Sequence, residues 1–273
     1  MNQPQNVDNH EIQQAIWQDV QKIRRAGPLV HNITNYVVMN TTANALLAIG
    51  ASPLMAHAVE EAADITALSQ ALVLNIGTLS AAWIDAMLLS GKEAHRRNLP
   101  VVLDPVGCGA TRFRTDTAHR LIQEIQPTVI RGNASEIRAL VIAGSGSKGV
   151  DSLHTPEEVL SDAIALSVSS GCVVSVSGPV DLICKGNTVL RVGNGHPMMT
   201  QVTGMGCSAS AVTGAFLAVN PVALDASRNA MAVMGIAGER AAREAKGPGS
   251  FQVTFLDALY GMTEADIAQL SIP

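Results

Sequence analysis

Aromatic side chains are scarce. Phe, Trp and Tyr together make up 3% of the chain, against 47% hydrophobic residues overall. The core must therefore be built from small aliphatic side chains, which suits helices packed closely on a parallel sheet. Positive charge is also in short supply, with 18 Lys and Arg against 23 Asp and Glu and a net charge of −5. No basic field is present to attract nucleic acid, and the pairs Arg24-Arg25 and Arg96-Arg97 read as solvated helix faces. The four cysteines, Cys108, Cys172, Cys184 and Cys207, form no CxxC pair. That spacing argues against zinc and fits free thiols in a reducing cytoplasm. The start, Met1 to His10, is polar where a secretory signal is basic and then apolar. The apolar runs are broken by Gly, Asn or charge well short of a membrane span. A P-loop, a G-x-G-x-x-G dinucleotide fingerprint and a G-x-S-x-G nucleophile elbow are all missing.

What is present is an alternation. Glu11 to Ala26 has helical spacing, with Ile12, Ile16, Val20 and Ile23 on one face, and Gly27-Pro28 stops it. Short apolar runs at Leu29 to Ile33, Ala71 to Ile76, Val101 to Leu103, Thr128 to Ile130 and Cys172 to Val176 read as strands. Helical patterns at Asn35 to Ile49, Ala81 to Asn98, Thr115 to Ile125 and Glu157 to Ser169 separate them. Leu182-Ile183 and Val189 to Val192 flank Gly186-Asn187, a hairpin signal. The stretch Ser208 to Gln269 is mostly helical, broken at Gly247-Pro248-Gly249. Gly144 to Gly149 reads as a surface loop within one domain spanning 1–273. The class is α/β with a mainly parallel sheet.

In such sheets ligands bind beyond the carboxyl ends of the strands. Those ends carry Gly77-Thr78, Asp104-Pro105, Arg131-Gly132-Asn133 and Ser177-Gly178. Gly, Asn and Ser end strands as turn residues; Asp104 and Arg131 are harder to explain that way. Val202 to Ser208, V-T-G-M-G-C-S, precedes a run of small residues. Alternating glycines before a helix form either an anion hole at its N-terminus or a tight turn for close packing. Cys207 in that position is expected to have a lowered pKa, and it reads either as a base or nucleophile or as a small buried hydrophobe. Asn133 to Glu136 opens a helix, either as a cap or, with Asp104, as a water-mediated Mg²⁺ site. His31 to Asn35 and Gly50 to Met55 gather groups suited to a small polar ligand, or to a polar loop capping the next helix.

The runs P-L-V-H-N-I-T-N-Y-V-V (Pro28 to Val38) and T-A-N-A-L-L-A-I-G-A-S-P-L-M (Thr42 to Met55) resemble the hydroxyethylthiazole kinases. So do L-N-I-G-T-L (Leu74 to Leu79), L-D-P-V-G (Leu103 to Gly107), I-R-G-N-A-S-E-I (Ile130 to Ile137), V-T-G-M-G-C-S-A-S-A (Val202 to Ala211) and G-P-G-S-F (Gly247 to Phe251). The resemblance implies a ribokinase-like fold, with helices on both faces of the sheet. It implies transfer of the ATP γ-phosphoryl group to 4-methyl-5-(2-hydroxyethyl)thiazole, with Mg²⁺, in thiamin salvage. It also implies a homotrimer with active sites near subunit boundaries.

Carried over by position, the thiazole falls beside Asn35, Val37, Met55, Gly77, Thr78 and Gly204, and the nucleotide beside Arg131 and Ser177. Asp104 and Glu136 match acidic positions associated with Mg²⁺. Gly204, Met205, Gly206 and Cys207 form the anion hole. Cys207 stands where other ribokinase-like enzymes have an aspartate base. The family's G-T-G-C or G-A-G-C is G-M-G-C here, which puts loop geometry and access in question. The rival readings are a kinase for another vitamin alcohol, a nucleotide-hydrate dehydratase, and a nucleotide sensor without catalysis.

Overall fold

In a computed structural model of the protein, residues 9–145 and 156–273 are described. Eight strands among them form one sheet: β1 (Leu29–Ile33), β2 (Ser52–Met55), β3 (Ala71–Asn75), β4 (Val101–Asp104), β5 (Val129–Asn133), β6 (Val173–Ser177), β7 (Asp181–Lys185) and β8 (Thr188–Val192). Their order is β2-β1-β3-β4-β5-β6-β7-β8. The pairs from β2 through β6 are parallel, and β6-β7 and β7-β8 are antiparallel.

The sheet is buried on both faces, so its strands are continuously apolar while alternate side chains go to different layers. Ala71 and Val73 of β3 enter the core shared with helices Asn9–Ala26, Met39–Ile49, Met205–Leu217, Ala223–Glu244 and Pro248–Tyr260. Leu72 and Leu74 enter the opposite core, with helices Ala62–Leu68, Ala81–Arg97, Arg112–Ile125, Ala134–Ser145 and Pro156–Ser170. The same parity places Val102 and Val129 in the first core and Leu103 and Ile130 in the second. Continued by two residues, it turns Asn75, Asp104 and Arg131 toward Met205–Leu217. The run of small residues in that helix has a steric reason. A Cβ on Gly214 would lie 2.8 Å from Val73 Cγ2.

Several elements differ from the sequence reading. The helix expected from Asn35 begins at Met39, because Asn35 accepts the Val37 N–H on Oδ1 and the Val38 N–H on its carbonyl. This Asx turn delays the helix. The short edge strand β2 and the helix Ala62–Leu68 were not read at all. Asp104 and Arg131 lie within β4 and β5, not after them. Of the loop read at Gly144 to Gly149, the first two residues end a helix and the others lie outside the described residues.

Candidate active site

The helix Met205–Leu217 aims its N-terminus at the carboxyl ends of β3, β4 and β5. Gly204 caps it at φ 86°, a left-handed conformation that suits glycine, and offers no side chain to its first-turn N–H groups. Those groups and the helix dipole thus remain available to an anion. Arg131 reaches across from β5 and donates from Nη1 to the Gly206 carbonyl at 2.8 Å. A Cβ on Gly206 would meet that same nitrogen at 2.8 Å, so glycine is what allows the guanidinium so close. Arg131 is buried, and its Nε has no partner within the protein. A buried cationic donor left open is a strong attractant for an anionic ligand.

A cavity of about 700 Å³ opens beside this point. Arg131, Ser177, Gly204 and Gly206 line it, together with the apolar Met199, Met205, Met231 and Met234. The Met205 side chain packs into the core and forms part of the wall. Ser177 donates to the Gly132 carbonyl at 3.4 Å. Asp181 also lines the cavity, accepting the Gly178 N–H at 3.0 Å, and burial raises its pKa to about 6.

On the other side of the helix N-terminus lies a polar group. Asn35 Nδ2 donates to Asn75 Oδ1 at 2.9 Å and to Cys207 Sγ at 3.5 Å. Asn75 Nδ2 donates to Asp104 Oδ2 at 2.8 Å, and the Ser210 hydroxyl donates to the same oxygen at 2.7 Å. A Cβ on Gly77 would lie 2.5 Å from Asn35 Nδ2, so only glycine leaves room for this amide. Thr78 Oγ1 accepts the Tyr36 N–H at 3.1 Å. Met55 is half-buried on β2 at the register position of Asn32, and Val37 is largely exposed.

The two carboxylates differ. Burial raises Asp104 to about 6, opposed by the Arg131 charge and reinforced by Glu136. Glu136 accepts the Gly107 N–H on Oε1 and the Asn133 N–H on Oε2, both at 2.9 Å, while Asn133 Oδ1 accepts the Glu136 N–H. This is a reciprocal helix-opening cap that also ties down the loop after β4.

The Cys207 expectation is corrected in one respect. Burial, with the Asp104 charge next in importance, raises the thiol to about 11; the amides of Asn75 and Asn35 and the Arg131 charge oppose the rise only in part. The helix N-terminus does not make it a thiolate. His31 and Asn32 also turn away from ligand binding. His31 is fully buried between Thr66 Oγ1 and the Ala56 carbonyl, and Asn32 donates to the Val30 carbonyl.

Three further features were missed in the sequence. Asn75 and Ser210 join the polar group. Tyr36, His57 and Trp83 form an aromatic group, with Tyr36 and His57 centred 4.7 and 4.6 Å from Trp83. Its members come from the loops after β1, β2 and at the start of Ala81–Arg97.

Residues 20–265 match the hydroxyethylthiazole kinase family. The chain belongs to that family. It is similar to the hydroxyethylthiazole kinase of Oleidesulfovibrio alaskensis, with 55% identity covering 92% of this chain and 95% of the relative. A solved structure of the hydroxyethylthiazole kinase from Pyrococcus horikoshii OT3 superposes with a TM-score of 0.89 and 42% identity, covering 95% of this chain and 98% of that one. A ribokinase-like superfamily protein from Enterococcus faecalis V583, 12% identical with a TM-score of 0.62 over 95% and 90% of the two chains, shares the fold. The family fold is therefore ribokinase-like, as the sequence motifs implied.

Proposed function

We infer that the chain transfers the γ-phosphoryl group of ATP to the hydroxyl of hydroxyethylthiazole, forming the thiazole phosphate used to make thiamin. Family membership names the reaction, and the observation in the site that carries it is the uncapped helix N-terminus beside the unpartnered Arg131 Nε. Phosphoryl transfer depends chiefly on positioning and on stabilising phosphate charge.

In this reading the cavity lined by Arg131 and Ser177 takes the nucleotide, and the first-turn N–H groups of Met205, Gly206 and Cys207 face the migrating group. The acceptor lies beside Asn35, Gly77, Thr78 and Gly204, with Val37 and Met55 at its outer side. Cys207 is a neutral thiol, so it orients the acceptor hydroxyl by hydrogen bonding and does not strip its proton beforehand. In a loose transition state the alcohol holds its proton until late, and orientation suffices.

Asp104 and Glu136 suit Mg²⁺. Asp104 is a buried carboxylate whose own partners do not fully compensate it, and each engaged Glu136 oxygen retains a lone pair for a coordinated water. Magnesium would neutralise the β- and γ-phosphate oxygens.

The assembly in this reading is a homotrimer with sites near subunit boundaries. Tyr36 and Val37, 65% and 64% exposed beside Asn35, offer apolar surface to a neighbouring copy. The setting is cytoplasmic, which agrees with four free cysteines. Among the described residues no helix is long and apolar enough to cross a membrane.

A panel of hydroxyethylthiazole, hydroxymethylpyrimidine and pyridoxal tests the assignment. The thiazole is expected to give the highest kcat/KM, and a faster pyrimidine or pyridoxal would move the acceptor assignment.

A further inference from the structure

Asn75 ends β3 and is buried between the end of β4 and the loop after β1. Its amide has only one workable orientation. The Asp104 carboxylate accepts, so Nδ2 faces it at 2.8 Å; the Gly77 N–H donates, so Oδ1 faces that at 3.0 Å. Oδ1 must then take its second bond from a donor, and Asn35 Nδ2 supplies it at 2.9 Å. Asn35 is fixed from its other end as well, because its Oδ1 accepts the Val37 N–H at 3.1 Å. The remaining hydrogen of the Asn35 amide points at Cys207 Sγ. The bond to Gly77 is an ordinary Asx turn. The other two bonds tie Asn75 to the end of β4 and to the loop after β1, and a turn residue has no need of them.

We propose that Asn75 is a positioning residue for phosphoryl transfer: it locks the Asn35 amide, and through it the Cys207 sulfur and the acceptor hydroxyl, to the Asp104 carboxylate. The proposal rests on the reading that Cys207 faces the acceptor. Neither Asn75 nor Asn35 lines the nucleotide cavity. Misplacing Asn35 should therefore slow transfer and leave ATP binding alone.

Two variants and two readouts test it. Asn75→Ser keeps an acceptor for the Gly77 N–H, and so the turn, but is too short to span Asp104 and Asn35. Asn75→Asp keeps the shape and replaces the amide donor facing Asp104 with a second buried carboxyl, so that the two acids must repel or share a proton. The first readout is steady-state kinetics with Mg·ATP and hydroxyethylthiazole. The second is the rate at which iodoacetamide alkylates Cys207 in the ligand-free protein, followed by peptide mass spectrometry.

Both variants are expected to lower kcat by about tenfold or more, with the KM for ATP within about twofold of wild type. Asn75→Ser should change Cys207 alkylation by severalfold, because the sulfur loses its fixed donor, and Asn75→Asp should slow it, because a carboxyl replaces an amide that favours the thiolate. Wild-type kcat and wild-type alkylation in folded Asn75→Ser would reduce Asn75 to a turn residue and overturn the proposal. If Asn75→Ser does not fold, wild-type kcat in the isosteric Asn75→Asp overturns the link to Asp104. The alkylation readout needs no substrate. A changed rate in Asn75→Ser from an enzyme that does not phosphorylate the thiazole would uphold the positioning and refute only the acceptor assignment.

Discussion

The Cys207 sulfur sits 3.5 Å from the Asn35 amide nitrogen, a contact between residues 172 positions apart. The amide donates, which favours a thiolate, yet the thiol is raised to about 11 because burial and the nearby Asp104 charge oppose ionisation more strongly. In the proposed function, Cys207 is a neutral thiol at physiological pH whose part is to hold the acceptor hydroxyl by a hydrogen bond. Removing a true general base costs about 10²–10⁴ in rate. Cys207→Ser should therefore retain folding and lose turnover, but by only about tenfold, with Cys207→Ala losing more. A loss above about 10³ in the folded Ser variant would restore the base.

Glu136→Gln should raise the Mg²⁺ concentration needed for half-maximal rate by about tenfold and leave saturated kcat within a few-fold. Gln keeps a single acceptor oxygen for two backbone N–H groups, so a small loss of stability is also expected. An unchanged magnesium titration removes Glu136 from the metal site.

Arg131→Met keeps the length of the stem and deletes the cation. A hydrogen bond to a charged group contributes about 1.5–3 kcal/mol, so the Kd for ATP should rise by roughly tenfold to a hundredfold. Calorimetric titration of nucleotide checks this, and wild-type affinity would place the phosphates elsewhere.

Asp181 supplies a pH signature independent of catalysis. Its folded pKa of about 6 lies above the ordinary 3.8 of an aspartate. The protonated form is thus favoured by folding. The resulting contribution to stability is fully present below pH about 3.8 and is lost as pH rises through about 6. Its full size is on the order of 3 kcal/mol. Ligand-free wild type should therefore gain Tm relative to Asp181→Asn as pH falls from about 7 to about 5. A constant difference in Tm across that window contradicts the burial argument.

Tyr36→Ala should raise the KM for the thiazole severalfold and leave the KM for ATP alone, since Tyr36 rests on Trp83 beside Asn35 and is otherwise exposed. Equal changes in both would make the aromatic group a purely structural clamp.

Much of this was legible in the sequence, and the failures have physical causes. The alternation of short apolar runs with helical patterns announced a mainly parallel sheet, and the hairpin Asp181–Lys185 with Thr188–Val192 followed from Gly186-Asn187. β2 escaped notice because Ser52-Pro53-Leu54-Met55 is a short, half-buried edge strand without alternation. Asn75 looked like punctuation at the end of an apolar run. Its parity with Ala71 and Val73, and its place opposite Asp104 in the register, were the signals available. Ser210 was hidden in a run of small residues, although it stands one turn after Cys207. Asp181 and the methionines of the cavity come from distant segments, and no local pattern brings them together. The Cys207 pKa failed because helix position is local and visible, while burial and the Asp104 charge are products of the fold.

The measurement that tests the central claim most directly is phosphoryl transfer itself. Purified protein, Mg·ATP and hydroxyethylthiazole are combined, and ADP and thiazole phosphate are followed together by mass spectrometry. The account predicts the two products in equal amounts, at a rate that falls in Cys207→Ala and with Asn75→Ser. ATP binding in the cavity with no thiazole phosphate formed would contradict it.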